Sequence, residues 1–414
     1  MAKGQGRYVK IWIDLTDFLQ WSGNLTGIQR VQYNLSKKFI ESGRRVGFFI
    51  YDESNRIFKE VSFNPDEIVK SGIVAADSRL QKTSETAIRK IIRRVKPHKA
   101  SQQHVKGVGS PFKRGDMVAV LGGIWVGTFI DDLISCKEKH ELKFVHFAFD
   151  MIPTLFPGYV VEWLPRAFGD YQVKVFTHVD GIIAISESTA NDVRSFIQKY
   201  DIKNNPKIVV TRIGEEVNTG EVDESDVLPI KQLIDKPYIL SVSTIEGRKN
   251  HAALFYAVKE ASRRGVQLPK VVIVGRNGWL TDDIRFTIIN DLEAREKILI
   301  LNDINDRELL WLYKNCLFTI FPSFYEGWGM PIAESLAYGK LCISSNTSSM
   351  PEIAGDLIDY FSPYDTGELL ERIIENLDED VRQDKEKIIA SHYKQTSWDT
   401  MFKQIDQFVS KISS

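Results

Sequence analysis

Residues 317–334 are LFTIFPSFYEGWGMPIAE, and this stretch decides the fold class of the chain. Its first seven residues are mostly apolar and have the length of a buried strand. A loop that contains Gly327 and Gly329 follows, and Pro331 suits the first turn of a helix. A buried strand that leads through a glycine loop into a helix is the unit from which parallel α/β sheets are built.

The same alternation of strand-length apolar runs and helix-period segments continues along nearly the whole chain. The predicted strands are 8–15, 46–51, 117–121, 143–150, 181–186 and 207–213 in the first half, and 238–244, 270–275, 297–302, 317–323 and 341–345 in the second. Continuous apolar strands between helices indicate parallel sheets covered on both faces. We therefore predict an α/β chain with two Rossmann-like, parallel-sheet domains that face an interdomain cleft.

A chain of 414 residues is too long for one ordinary hydrophobic core, which also favours two domains. Residues 215–226 are acidic, weakly hydrophobic and without period, and we interpret them as a linker. The predicted divisions are 1–225 for the N-terminal domain, 226–396 for the C-terminal domain and 397–414 for a terminal helix that packs back on the N-terminal domain. Ligands of such sheets bind beyond the carboxyl ends of the strands, here in the cleft.

Charge and cysteine content exclude several protein classes. The formal net charge is −1, so we expect no nucleic-acid partner. Cys136, Cys316 and Cys342 are far apart and lack metal-ligand spacing, which indicates reduced thiols and a cytoplasmic protein. The N-terminus lacks the apolar core of a signal peptide, and no run approaches the roughly 18 to 20 apolar residues that cross a bilayer.

Two carboxylates and a glycine loop form the strongest candidate site. Glu326 lies in the loop and Glu334 about one turn into the predicted helix, so they can reach different parts of one elongated ligand. Carboxylates accept hydrogen bonds from vicinal hydroxyl pairs. The amides of Gly327, Trp328 and Gly329, at a helix N-terminus, suit phosphate or sugar oxygens. Taken alone, the spacing fits a glycine turn with a solvated glutamate equally well.

Two further segments come just after predicted strands. Arg248 and Lys249 stand between a strand end and a helix that starts near Asn250, which suits a diphosphate, although a basic surface turn is the alternative. Gly27 follows the predicted N-cap Thr26 at the start of the first helix, on the opposite wall. This segment lacks the GxGxxG motif, which argues against a dinucleotide-binding site. An oxidoreductase that uses a dinucleotide is therefore the poorer interpretation.

Together these segments resemble the retaining group-one glycosyltransferases (family four), which share the GT-B fold, and among them bacterial mannosyltransferases of surface-polysaccharide assembly. The resemblance covers nearly the whole chain and is strongest in its second half. Its main motifs are RKN at 248–250 and EGWGMP at 326–331, with Glu334 completing an E-x7-E spacing. Further matching segments are TGIQR at 26–30, AISEST at 184–189, VGR at 274–276 and PEI at 351–353.

The resemblance implies a nucleotide-sugar donor in the C-terminal domain and an acceptor in the N-terminal domain. Its implied donor-binding residues are Gly27, Arg248, Lys249, Gly275, Arg276, Glu326, Gly327, Trp328, Gly329 and Glu334. Arg248 and Lys249 would neutralise the diphosphate leaving group, and Gly27 would approach it from the other wall.

The remaining donor roles are also implied by the resemblance. Glu334 would hold the ribose hydroxyls, and Glu326 with the three amides that follow it would hold the transferred sugar. Gly275 and Arg276 would lie near the nucleobase. We expect a GDP-sugar rather than a UDP-sugar, with mannose as the hexose, because similar proteins of surface-polysaccharide assembly are often mannosyltransferases.

The implied catalytic residues are Asp150, Glu326, Arg248 and Lys249. Many relatives carry a His-Asp pair before Ile-Pro, but here Phe149 replaces the histidine and Asp150 remains. Asp150 is the candidate to orient or deprotonate the acceptor hydroxyl, and His146 is an uncertain substitute for the missing histidine.

We expect no cofactor and no catalytic metal, because the acidic residues at 282–283 and 378–380 stand at helix ends where solvated charge explains them. The acceptor would be a saccharide or a lipid-linked glycan in polysaccharide biosynthesis. A nucleotide-sugar epimerase of GT-B fold and a non-catalytic nucleotide- or glycan-binding protein stay open as alternatives.

Residues 79–114 are dense in lysine and arginine, with Glu85 as the one acid. Residues 87–96 have the pattern of a short basic amphipathic helix, which can lie on the anionic inner face of the cell membrane. A solvated loop explains the same composition equally well.

Overall fold

A computed structural model of the chain describes residues 9–20, 27–65, 108–217, 220, 222, 225, 227–234, 237–279 and 281–413. Two sheets organise this part of the molecule, one in each half of the chain. The N-terminal sheet contains β1 Ile11–Asp14, β2 Val46–Asp52, β3 Ile57–Val61, β4 Met117–Val120, β5 Lys143–Ala148, β6 Gly181–Ala184 and β7 Lys207–Val210. The C-terminal sheet contains β8 Tyr238–Val242, β9 Lys270–Val274, β10 Ile298–Leu301, β11 Thr319–Phe321, β12 Cys342–Ser345 and β13 Asp359–Phe361.

Both sheets have the doubly wound strand order, with a reversal in the middle. The N-terminal order is β3-β2-β1-β4-β5-β6-β7, and the C-terminal order is β10-β9-β8-β11-β12-β13. All pairings in the described sheets are parallel except that between β2 and β3. The order reverses between β1 and β4 and between β8 and β11, and crevices for ligands form at these points. The predicted α/β class with two parallel-sheet domains is confirmed.

Helices lie between the strands of both sheets. Those of the N-terminal half are α1 Thr16–Gln20, α2 Gly27–Glu41, α3 Phe129–His140, α4 Ile152–Leu155, α5 Leu164–His178 and α6 Glu187–Lys199. Those that follow are α7 Leu228–Leu233, α8 His251–Arg263, α9 Asp282–Asn290, α10 Ala294–Lys297, α11 Asp306–Asn315, α12 Met330–Ala337, α13 Met350–Ala354, α14 Thr366–Leu377, α15 Glu379–His392 and α16 Trp398–Ser413. Single 3-10 turns occupy Pro157–Tyr159, Gly247–Lys249 and Gly355–Leu357.

Two strands were missing from the prediction, and each has a physical reason. In β3 only Phe58 and Val61 are buried, while Lys59 and Glu60 are exposed, because the strand runs antiparallel along the sheet edge. The β13 strand has three residues and also lies at an edge. Edge strands do not need the continuous apolar run that identified the central strands.

The terminal helix α16 packs against α2 and β5 of the N-terminal domain. The rings of Phe39 and Phe402 meet edge to face with centroids 5.0 Å apart. Arg44, just after α2, forms an ion pair with Asp406, with Nε 2.7 Å from Oδ1. On the other side, a Cβ atom on Gly181 would lie 2.8 Å from the Phe408 ring, so glycine allows α16 to approach β6 closely.

The start of the predicted linker is fixed rather than solvated. Glu215 is fully buried, and its carboxylate accepts hydrogen bonds from the Tyr393 hydroxyl at 3.0 Å and the Thr396 amide at 3.2 Å. Its own amide donates to the Thr396 carbonyl at 2.8 Å. The segment after β7 is therefore tied to the chain that leads into α16. The boundary at residue 225 stays a prediction, since several residues around it lie outside the described part.

The helix predicted to start near Thr26 is α2, in which Val31, Leu35 and Phe39 are buried on one face. The predicted cap Thr26 and most of the basic stretch 79–114 lie outside the described residues. Among the helices that the structure describes, none is long and apolar enough to cross a bilayer.

Candidate active site

The candidate site lies where the order of the C-terminal sheet reverses. Strands β8 and β11 are neighbours there, with Thr319 opposite Leu240. The loop after β8 carries Arg248 and Lys249, and the loop after β11 carries Glu326. Parallel neighbours end at the same edge of a sheet, so these loops meet although 77 positions separate Lys249 from Glu326.

The buried Glu326 and the partly buried Arg248 and Lys249 form one group, which we call the charge cluster. Arg248 Nη1 lies 2.7 Å from Glu326 Oε2, and Lys249 Nζ lies 2.5 Å from Glu326 Oε1. Arg248 also pairs with Glu246 at 2.6 Å and donates to the carbonyl oxygen of Tyr325 at 2.6 Å. One carboxylate therefore holds both cations at the edge of the sheet.

Burial and pairing act in opposite directions on these groups. Burial opposes the charge on Glu326, but Arg248 and Lys249 outweigh this effect and lower the pKa of the carboxyl to about 2. Burial, together with the neighbouring Arg248, lowers the pKa of Lys249. The pairing keeps Glu326 ionised at neutral pH, and any anion that enters must compete with this carboxylate for the two cations.

Asn250 fixes the loop that carries the cations. Its backbone has a φ of 55°, a left-handed conformation that asparagine tolerates better than most residues. Its side-chain amide donates to the carbonyl oxygens of Pro322 at 3.1 Å and Pro363 at 3.0 Å. The loop after β8 is therefore anchored directly to the end of β11.

The loop that carries Glu326 is held by two serines. The amide of Glu326 donates to Ser348 Oγ at 2.9 Å, and Ser349 Oγ donates to the carbonyl oxygens of Glu326 at 3.0 Å and Trp328 at 2.6 Å. Trp328 has a buried side chain, so only its backbone could face a ligand. Gly329 has a φ of 136°, which L side chains rarely adopt. The loop conformation therefore requires glycine at this position.

Asp150, from the N-terminal domain, lies against this loop. A Cβ atom on Gly327 would be 2.0 Å from the carbonyl oxygen of Phe149 and 3.0 Å from Asp150 Cβ, so the two domains touch here through glycine. Asp150 Oδ1 accepts a hydrogen bond from the amide of Ile152 at 2.9 Å. Burial raises the pKa of Asp150, and Arg248 opposes this most strongly. The structure therefore brings Asp150 next to the charge cluster.

His146 does not take the place of the missing histidine. It lies within β5, fully surrounded by core residues, with its ring 6.0 Å from that of Tyr171 and 6.3 Å from that of Phe176. Burial lowers its pKa to about 3, so it is neutral. Phe149 stacks on Phe147 at a centroid distance of 6.4 Å.

Glu334 belongs to a second polar group, and the sequence did not predict the other members of this group. Its Oε1 accepts from Arg30 Nη1 at 2.9 Å, and its Oε2 accepts from the hydroxyl of the buried Tyr313 at 2.9 Å. Arg30 belongs to α2 of the N-terminal domain, so this ion pair bridges the cleft. In the sequence, Arg30 is the last residue of the matching segment 26–30, and Tyr313 lies within an apolar helix pattern. Only the folded arrangement brings them to Glu334.

The three remaining predicted residues lie around the site in different ways. Gly27 is the first residue of α2, one turn before Arg30. Gly275 follows β9, and a Cβ atom there would be 1.8 Å from the carbonyl oxygen of Ser243. Its glycine is therefore needed for contact between the loops after β8 and β9. Arg276 is exposed, and its carbonyl accepts from the amide of Ile245 at 2.7 Å.

A further contact across the cleft involves the matching segments at 184–189 and 351–353. The carboxylate of Glu352 accepts hydrogen bonds from the amides of Glu187 at 2.7 Å and Ser188 at 2.8 Å, in the first turn of α6. A carboxylate at a helix N-terminus satisfies amides that have no partner within the helix. Arg212 adds a hydrogen bond to the Ile353 carbonyl at 3.0 Å.

The acidic residues at 282–283 and 378–380 lie at helix starts, as the sequence predicted. Asp282 and Asp283 are exposed in the first turn of α9, and Asp378 caps α15 by accepting from two amides. Within the described ranges, no group of three or more His, Cys, Asp or Glu residues is placed to hold a metal ion.

Comparison with known proteins finds a family match in the second half of the chain. Residues 226–395 match the family model described as Glycosyl transferases group 1. The serotype-specific mannosyltransferase WbdA of Escherichia coli is 27% identical over 260 residues, which is 60% of this chain and 32% of that protein. The chain thus spans about a third of the length of this curated relative.

Solved structures support the fold of the whole chain. A glycosyltransferase from Rickettsia africae superposes with a TM-score of 0.61 at 16% identity, over 98% of this chain and 99% of that one. Anabaena HepE, solved in complex with UDP-glucose, gives a TM-score of 0.64 at 13% identity, over 97% and 99% of the two chains. The GT-B fold and the resemblance to group-one glycosyltransferases expected from the sequence are confirmed. Residues 226–395 therefore match the group 1 glycosyl transferase model, within a chain that has the GT-B fold.

Proposed function

We propose that this protein is a retaining glycosyltransferase that moves mannose from GDP-mannose onto a saccharide or lipid-linked glycan acceptor in polysaccharide biosynthesis. The observation that carries the proposal is the charge cluster. Two cations and one carboxylate meet at the strand-order reversal, against Asp150 of the other domain. This arrangement suits a reaction in which a diphosphate leaves a sugar next to an incoming hydroxyl group.

In the proposed reaction the diphosphate binds Arg248 and Lys249. Negative charge grows on the leaving oxygen as the bond to the sugar breaks, and preorganised cations stabilise that charge. Gly27 at the start of α2 approaches the diphosphate from the opposite wall. Glu326, with the backbone of Gly327, Trp328 and Gly329, holds the transferred sugar.

Glu334 would accept hydrogen bonds from the ribose hydroxyls of the donor. A carboxylate has enough lone pairs to accept from two vicinal hydroxyls, but Arg30 and Tyr313 already donate to Glu334 in this arrangement. Donor binding would therefore loosen the contact between Glu334 and Arg30. Gly275 and Arg276 are proposed to lie near the nucleobase.

Asp150 is proposed to receive the proton of the acceptor hydroxyl. The acceptor oxygen forms its bond to the anomeric carbon on the same face from which the diphosphate departs, which retains the configuration. The protein then has to hold the sugar and acceptor within reacting distance, and no covalent enzyme intermediate is needed.

The donor proposal rests on the relatives. WbdA is named a mannosyltransferase, which favours a GDP-sugar, whereas HepE was solved with UDP-glucose. We also keep the proposal that the basic stretch 79–114 contacts an anionic membrane surface. It rests on composition alone, because residues 66–107 lie outside the described part.

Replacing Lys249 with alanine should lower the turnover of GDP-mannose by on the order of a hundredfold, as expected for loss of one preorganised electrostatic donor. Steady-state transfer to a mannoside acceptor measures this. Lys387→Ala is the matched control, because Lys387 is exposed on α15 and pairs only locally with Asp384. Near-normal turnover of Lys249→Ala would refute the role of Lys249.

The acid limb of the kcat/KM pH profile should reflect the protonation of Asp150. A general base must be ionised, and burial raises the pKa of Asp150, so kcat/KM should fall on acidification at a pH above the ordinary value of 3.8. Asp150→Asn should remove this limb and lower kcat/KM by about a hundredfold or more.

Asp192 is the competing candidate for this limb, since burial raises its pKa to about 6. An unchanged limb in Asp150→Asn would assign the titration to another group.

Transfer activity should survive EDTA. The charge cluster supplies the positive charge that a divalent ion would otherwise contribute to a leaving diphosphate. Turnover is measured before and after chelation and again after Mg²⁺ or Mn²⁺ is added back. Complete loss that either metal restores would contradict a metal-independent reaction.

A further inference from the structure

Five aromatic rings lie beside the charge cluster, and none of the roles above uses them. We call this set the aromatic row, and its members in spatial order are Tyr325, Phe156, Tyr159, Phe324 and Tyr364. Successive ring centroids are 4.8, 6.1, 5.5 and 5.3 Å apart. Two of the rings come from the N-terminal domain and three from the C-terminal domain, so the row crosses the domain junction.

The row begins at the proposed reaction centre. Tyr325 directly precedes Glu326, and the amide of Phe324 donates to the carbonyl of Arg248 at 2.9 Å. The Tyr159 ring lies over Gly247, where a Cβ atom would be 3.5 Å from Tyr159 Cδ1. The backbone that positions the cations therefore also positions the rings.

The outer end of the row is open to water. Tyr364 is 75% exposed, and the other four rings are only partly buried. Large aromatic side chains beside a cleft, left exposed and next to convergent polar groups, are typical of ligand sites rather than of core packing. Tyr364 stabilises no core that would explain its position.

Polar groups lie at the inner end. The Tyr325 hydroxyl donates to the carboxylate of Asp192 at 2.8 Å and lies 3.3 Å from the hydroxyl of Ser188. A pyranose has flat faces of C–H groups and a rim of hydroxyls. The faces suit the negative ring faces of aromatic side chains, and the hydroxyls can donate to a carboxylate.

We propose that the aromatic row is a subsite for the acceptor, on which one pyranose stacks against Tyr364 and Phe324 while hydroxyls of the acceptor at the inner end of the row reach toward Asp192. The proposal rests on the proposed glycosyltransferase function and adds the class of acceptor. Because the row runs outward from the charge cluster, it suits an oligosaccharide with one unit at the reaction centre and the next on the rings.

Saccharide binding to three variants tests the subsite. Tyr364→Ala removes the exposed ring, and Tyr364→Phe keeps the ring but removes the hydroxyl. Tyr200→Ala is the matched control. Tyr200 is 48% exposed at the C-terminal end of α6, about 20 Å along the helix from the end that faces the cleft.

Saturation-transfer NMR with mannobiose, maltose and chitobiose, in the presence of GDP, measures binding. Tyr364→Ala should bind the preferred disaccharide at least about fivefold more weakly, as expected for one lost stacking contact. Tyr364→Phe and Tyr200→Ala should stay within about twofold of the wild type. Affinity for GDP, measured by calorimetry, should be the same in all four proteins.

Three results would overturn the subsite. They are unchanged disaccharide binding in Tyr364→Ala, no binding of any of the three probes by the wild type, and an equal loss of GDP affinity in Tyr364→Ala. The last result would assign the rings to domain closure. Donor turnover is followed separately, since a wild type that consumes no nucleotide sugar counts against the proposed function itself.

Discussion

The buried carboxylate of Glu326 between Arg248 and Lys249 is the interaction on which the site depends. Charges taken out of water are costly unless they are paired and hydrogen-bonded, so the three groups must stay together in the absence of ligand. Their pairing ties the loop after β8 to the loop after β11 and fixes the position of Asp150 through Gly327. A leaving diphosphate would find both cations already in place.

The cleft is closed by contacts of different kinds. Gly327 touches the backbone of Phe149 without an intervening side chain, and Glu352 caps the N-terminus of α6. Arg30 pairs with Glu334, the carboxylate proposed to hold the ribose. The contact of Glu352 involves atoms outside the proposed donor site, whereas the contact of Arg30 would have to yield to a nucleotide bound as proposed. In the proposed binding mode, donor binding and this domain contact are therefore coupled through Glu334.

The sequence was sufficient to predict most central strands and the residues of the charge cluster, because buried parallel strands leave continuous apolar runs and glycine loops are distinctive. It was insufficient for features set by long-range pairing. Strand order makes β8 and β11 neighbours. Domain packing brings Arg30 to Glu334, although 304 positions separate them in the sequence. Local pattern also made Glu215 look solvated, although it is buried and accepts hydrogen bonds from the Tyr393 hydroxyl and the Thr396 amide.

The central claim is that one activated sugar bridges the charge cluster and Glu334. A crystal structure of the protein with GDP, and a second with UDP, tests it most directly. We expect diphosphate oxygens within hydrogen-bond distance of Arg248 and Lys249, ribose hydroxyls on Glu334, and Arg30 displaced from that carboxylate. A nucleotide bound elsewhere, with the two cations still paired only to Glu326, would contradict the account.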